Sequence, residues 1–181
     1  MTSRERVLAA INHKQPDYVP LDLGATPSSG ISAIAYNNLK KHLGMTGGQT
    51  RIFDVVQQVV VPEKEIIDKF GVDVIDIGRV FNEKDEDWHE TVLADGSIGH
   101  YPNWFNPEKQ PNGDYLVHDS EGTLIARMPV GATFFDQTYF PYVDDYPDDY
   151  SDLDHQMGKV LWSALVHSPW IMLVIKIFTR R

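Results

Sequence analysis

Two short apolar segments, VPLDLG at 19–24 and VDVIDIG at 72–78, constrain this chain more than any other feature of it. Each is rich in Val, Leu or Ile, each carries an aspartate near its end, and each runs into glycine. That is the pattern of a buried strand stopping at a loop. The residues around and between them read as helix. Thr2 and Glu5 stand at capping-box spacing, Val7, Leu8 and Ile11 share one helical face, and Pro16 stops that helix. From about Ser29 to Leu43, Ile31, Ile34, Ala35, Leu39 and Leu43 recur at three- and four-residue steps, and Gly44 closes the run. GMTGGQT (44–50) is a flexible turn. A further helix is predicted through Phe53, Val56 and Val60, and another in PEKEIIDKF, opened by Pro62 and closed by Gly71. Strands alternating with helices in this way predict an α/β fold with a parallel sheet or barrel.

The rhythm then breaks. WHETVLADGSIGHY (88–101) reads as two strands around Asp-Gly, and DYLVHDSEGTLIARM (114–128) as two more around Glu-Gly. Residues 84–143 therefore form an antiparallel insertion, for which Trp88, Tyr101, Trp104, Phe105 and Tyr115 supply a small core or, alternatively, line a pocket. FFDQTYFPY (134–142) is open to the same two readings. DDYPDDYSDLD (144–154) has six aspartates and no base, which suits a solvated linker; a cation site is the sharper alternative. Asp152 to Val166 is predicted helical, and IMLVIKIF (171–178) is a candidate third parallel strand.

Composition narrows the function classes. The 181 residues can bury one sizeable core, and the absence of cysteine excludes disulfides, thiolate zinc sites and cysteine nucleophiles. A formal net charge of −10 argues against nucleic acid or an anionic membrane as the main partner. The acidity is uneven: residues 1–60 carry six Lys/Arg against four Asp/Glu. TSRERVLAA lacks the apolar core of a signal peptide, and IMLVIKIF is too short to span a bilayer and contains Lys176, so a cytoplasmic protein is expected.

No P-loop, dinucleotide fingerprint, nucleophile elbow or zincin motif is present, and no residue is assigned as catalytic. Asp22 and Asp76 are the candidate ligand-binding pair, because each ends a predicted parallel strand, where barrel enzymes carry their chemistry. Two roles stay open to each: contact with a ligand, or capping of the following loop. Asp73 alternates to another face and reads as structural. His89, His100 and His118 fall in the insertion without the spacing of a metal site.

MTSRERVLAAINHKQPDYVPLDLG, GISAIAYNNLKKHLG and FGVDVIDIG together resemble the N-terminal region of the uroporphyrinogen decarboxylase superfamily, closest to its branch of corrinoid-dependent methyltransferases. The likeness spans residues 1–80, more weakly the insertion and DLDHQMGKVLWSALVHSPW. It implies the N-terminal part of a (β/α)8 TIM barrel, incomplete over 1–181, since a closed barrel needs about 250 residues. It also implies that Asp76 accepts N–H bonds from a tetrapyrrole or related ligand. LGATPSSGI holds no arginine where the decarboxylases place an arginine-rich loop, and the zinc ligands of the methyltransferases belong to a later half of the barrel. Three functions follow as expectations. The full-length relatives act as corrinoid-dependent methyltransferases on small methylated compounds, with a corrinoid protein or zinc as cofactor. Alternatively the chain serves tetrapyrrole decarboxylation in porphyrin biosynthesis. Or it is a non-catalytic fragment or interaction subunit, completed by a second polypeptide.

Overall fold

The Thr2 hydroxyl accepts the Glu5 N–H at 3.2 Å and the Glu5 carboxylate accepts the Thr2 N–H at 2.8 Å, so the capping box starts helix α1 (Ser3–Ile11). The helix does not bury the face its sequence predicts. Leu8 and Ile11 are 44% and 67% exposed, and the buried residue is Arg6. Its guanidinium donates to Asp17 at 2.7 and 3.1 Å, to the Met1 carbonyl at 2.9 Å and to Asp73, and it lies 3.5 Å from the centre of the Tyr18 ring. The Asp73 carboxylate also accepts the Leu21 N–H at 3.0 Å. A charge can be held away from water here because each guanidinium nitrogen bonds an oxygen and the group also meets the Tyr18 ring.

The structure, a computed structural model, describes residues 1–76 and 84–160. Within them follow α2 (Ala33–His42), β1 (Ile52–Asp54), β2 (Val59–Val60), α3 (Lys64–Phe70), β3 (Trp88–Val92), β4 (Ile98–Pro102), β5 (Glu108–Lys109), β6 (Tyr115–His118), β7 (Leu124–Met128), β8 (Asp136–Gln137) and α4 (Leu153–Gly158). Three antiparallel sheets form among the described residues: β1–β2, β3–β4 and β5–β6–β7–β8.

The expected part of a (β/α)8 barrel is thus not what the chain builds. The described residues show small antiparallel sheets and no helix–strand alternation of the barrel kind. The segments around Asp22 and Val74 meet in parallel at one isolated bridge, where the Asp73 N–H donates to the Leu21 carbonyl at 2.7 Å. Val19 is 81% exposed and Ile75 62%, so these segments lack the two-sided burial that sustains a parallel sheet. IMLVIKIF, the second half of the helix predicted from Asp152 and the end of VDVIDIG lie outside the described residues.

The predicted helix through Phe53, Val56 and Val60 is also corrected. These residues form the β1–β2 hairpin, with Ile52 opposite Val60 and Gln58 at φ 58° in its turn. Ile52, Phe53, Val55, Val56, Val59 and Val60 are all buried. A surface helix buries one stripe, whereas a β-branched run buried throughout takes extended backbone. Helix α2 begins four residues later than predicted, after a 3-10 turn at Pro27–Ser29, and buries Ala33, Tyr36 and Lys40. Helix α3 ends where expected, at Gly71 with φ 61°.

Turn chemistry sets the β3–β4 and β6–β7 hairpins. In the β3–β4 hairpin Asp95 accepts the Ser97 N–H at 3.0 Å and Gly96 adopts φ 82°. Between β6 and β7 the Asp119 carboxylate accepts the Glu121 and Thr123 N–H groups at 2.9 and 2.8 Å. Side chains that copy a backbone turn fix both reversals.

The described residues divide into two compact units, those of Met1–Asp54 with those of Gln58–Pro102, and Val55–Gln57 with those from Asn103 onward. The first packs Phe53, Val59 and Trp88 together, joined by the half-buried Val61. In the second, Phe105 and Phe135 meet edge-to-face at 5.2 Å, and the buried Asp114 accepts from Arg127 at 2.7 and 2.9 Å and from the Val130 N–H at 2.9 Å.

The Arg6 cluster makes the first unit acid-sensitive. The Arg6 hydrogen bond chiefly holds Asp17 below the ordinary carboxylate value of 3.8, and the Leu21 N–H chiefly does so for Asp73. Because the unfolded chain takes up these protons first, the stabilisation is complete above about pH 4 and is lost as pH falls through the lower folded values. Arg6→Met is expected to lower the urea midpoint at neutral pH and to flatten its further fall towards about pH 3. Urea unfolding of both proteins across that range checks this.

Candidate functional site

An open cleft of about 340 Å³ lies in the first unit, where the C-terminal end of α2, the loop 43–50 and β4 converge. Asn37, Lys40, Lys41, Gly47, Thr50 and His100 line it. Asn37 joins its walls. The carboxamide nitrogen of Asn37 donates to Ser97 Oγ at 2.9 Å and to the Ile98 carbonyl at 2.8 Å, while its oxygen accepts the Thr50 hydroxyl at 2.6 Å. The His100 N–H then donates to the Thr50 carbonyl at 2.8 Å, continuing the connection to β4.

The loop beside the cleft is set by Glu63, the N-cap residue of α3. Its N–H donates to Tyr36 Oη at 2.8 Å, and its carboxylate accepts from Tyr36 Oη at 3.0 Å and Lys40 Nζ at 2.9 Å. Burial pushes the Tyr36 phenol up, so it stays a donor throughout the neutral range. Gly48 passes so close that a Cβ there would lie 1.5 Å from Glu63 Oε1, and its φ is 79°. Glycine is required at that point for both reasons. A Cβ on Gly47, by contrast, would meet nothing within 4 Å.

Among the described residues His100 is the titratable group with an unfilled side-chain bond. Its Nδ1 is buried without a partner, and burial is the main cause that lowers its pKa below the ordinary 6.5. Glu90 favours the charged form; Arg51 and Lys40 oppose it.

The two aspartates singled out in the sequence lie away from this cleft's lining. Asp22 is exposed, and its Oδ1 accepts the Ala25 N–H at 3.0 Å, a loop-capping bond. Asp76 is half-buried, two residues beyond the Asp22–Val74 bridge. That bridge brings the two segments together. Asp73 sits in the Arg6 cluster, a structural place. His89 stands opposite Tyr101 and His100 opposite Glu90, while His118 belongs to the second unit. Among the described residues no group of three metal-ligating side chains forms. In the aspartate stretch, Asp152 accepts the Tyr142 hydroxyl at 2.5 Å, which pushes that phenol up to about 12, and Asp149 accepts the Ser151 N–H at 2.8 Å. Among the described residues no helix is long and apolar enough to cross a membrane.

Sequence reading missed the cleft. Asn37, Lys41, Thr50 and His100 carry no motif, and GMTGGQT was legible as a turn rather than as the border of a site. The paired Gly47-Gly48 beside basic Lys40-Lys41 was the available signal.

No protein-family model matches the chain, and neither a curated protein nor a solved structure matches it.

The buried imidazole predicts a second pH effect. A histidine with a lowered folded pKa stabilises the fold above about pH 6.5, and that contribution is lost on acidification because the unfolded chain binds the proton first. The urea midpoint of the first unit is expected to decline between about pH 7 and pH 5, and His100→Gln is expected to flatten that decline. An equal decline in His100→Gln would assign the effect to other groups.

Proposed function

We propose that this chain is a small-molecule-binding protein whose site is the cleft between α2, the loop 43–50 and β4. One observation carries the reading: a cavity of about 340 Å³ whose walls are locked together by the Asn37 carboxamide. Its size is that of a metabolite site, and its lining combines apolar contact from Met45 and Ile98 with a few placed polar groups. A cytoplasmic location belongs to the same proposal and is supported by the lack of cysteine.

A second reading, corrinoid-linked methyl transfer, is supported by the resemblance over residues 1–80 and by the Asp22–Val74 bridge, which draws the two candidate carboxylate segments together. A corrinoid or a methylated small compound is the ligand it calls for, with Asp76 and Asp22 as contacts. Decarboxylation of a polycarboxylate tetrapyrrole is the weaker enzymatic alternative, since GATPSSG offers no arginine to such a substrate.

Amide NMR spectra of the chain, recorded with a small-fragment library and separately with hydroxocobalamin, test these readings. Fragments are expected to shift Asn37, Thr50, Ile98 and His100. Gly47→Phe, which fills open space without the strain of a positive φ, is expected to abolish those shifts. Fragment binding unaffected by Gly47→Phe would contradict the cleft reading. Hydroxocobalamin shifts confined to residues 22 and 74–76 would favour methyl transfer instead.

A further inference from the structure

The loop that borders the cleft carries three successive backbone donors, on Thr46, Gly47 and Gly48. Among the described residues, the backbone N–H groups of Thr46, Gly47 and Gly48 donate to no protein group, and all three residues are exposed. Lys41 stands exposed beside them with no ion pair among the described residues. Glu63 turns its Oε1 towards Gly48, and the charge of that carboxylate is offset through Oε2 by Lys40 Nζ at 2.9 Å, with Tyr36 Oη at 3.0 Å. Space is also available: nothing lies within 4 Å of a Cβ built on Gly44 or Gly47. The surrounding sequence is the cationic part of an otherwise acidic chain, with six Lys/Arg against four Asp/Glu in residues 1–60.

Successive open backbone amides suit a compact anion, and a nearby ammonium supplies the counter-charge. From these placements we infer that the cleft holds a tetrahedral oxyanion, the phosphate group of a small ligand, on the Thr46, Gly47 and Gly48 amides with Lys41 beside it. The inference rests on the reading of the cleft as a small-molecule site and adds the charge and shape of what it takes. The rest of the ligand would lie towards Asn37, Ile98 and His100, which line the same cavity.

Sulfate is the probe for the headgroup, because it remains a dianion throughout the neutral range. Phenyl phosphate is the probe for an organic ester. Each is titrated into the full 181-residue chain, with sodium chloride at matched ionic strength as reference and amide NMR as readout. Saturable sulfate shifts at residues 41 and 46–48, absent with chloride, are expected. Tighter binding of phenyl phosphate, with added shifts at Ile98 and His100, would identify an ester as the ligand; equal affinity would identify the free oxyanion. Lys41→Gln is expected to weaken sulfate binding by roughly three- to fivefold, the scale of one partly exposed charge contact. Lys69→Gln, at the end of α3 and outside the cleft, is expected to leave it unchanged. Shifts that follow ionic strength alone, or an unaltered affinity in Lys41→Gln, would overturn the inference. Neutral fragments bound in the cleft without any sulfate effect would overturn it while leaving the small-molecule reading in place. Failure of every probe would overturn both.

Discussion

The Asn37 carboxamide is the contact on which the first unit's site depends. It is one side chain on α2, yet it reaches the Ser97 hydroxyl and Ile98 carbonyl of the β3–β4 hairpin and the Thr50 hydroxyl before β1. These three places are far apart in sequence, and each has conformational freedom that must be removed before a cavity can exist. Asparagine suits the task because it donates and accepts at once. Aspartate would lose the two donated bonds, and leucine would leave the buried Thr50 hydroxyl without its acceptor. The Tyr36–Lys40–Glu63 group, on the same helix, then sets the position of Gly48 and with it the loop bordering the cleft.

Burial of charge runs through the rest of the structure. Arg6 with Asp17 and Asp73, Lys40 with Glu63, and Asp114 with Arg127 each hold one buried ionic group. Such pairs are costly to desolvate and strongly destabilising to break on one side only. Their effect is specificity of position. Arg6 ties the N-terminal helix to Asp17 and to the segment after α3, and Asp114 ties the start of β6 to β7 and to the Val130 N–H.

What the sequence disclosed was local chemistry. The capping box of α1, the end of α3 at Gly71 and the hairpins at Asp95-Gly96 and Asp119–Gly122 all follow from side chains bonding backbone groups a few residues away. What it did not disclose was set at long range. The run from Ile52 to Val60 fits a helical period and an extended hairpin equally well, and burial on every side decided for the hairpin. The barrel expectation failed for a related reason: VPLDLG and VDVIDIG have strand-like composition, but among their described residues a single bridge, at Asp22 and Val74, forms, and Val19 and Ile75 face solvent. Arg6 shows the same limit, since no periodicity marks an arginine as the residue a helix will bury. The cleft was hidden because its parts come from α2, a glycine loop and a hairpin with no motif among them.

The claim that Asn37 couples these elements into one site is tested most directly by a double-mutant cycle of Asn37→Ala and Thr50→Val, with urea unfolding followed at the amides of the β3–β4 hairpin. If the Asn37–Thr50 bond joins α2 to the strand segment as described, the two substitutions are non-additive, with a coupling energy of about 0.5–3 kcal/mol. Additivity within about 0.5 kcal/mol would contradict it and leave the cleft without the interaction said to hold it together.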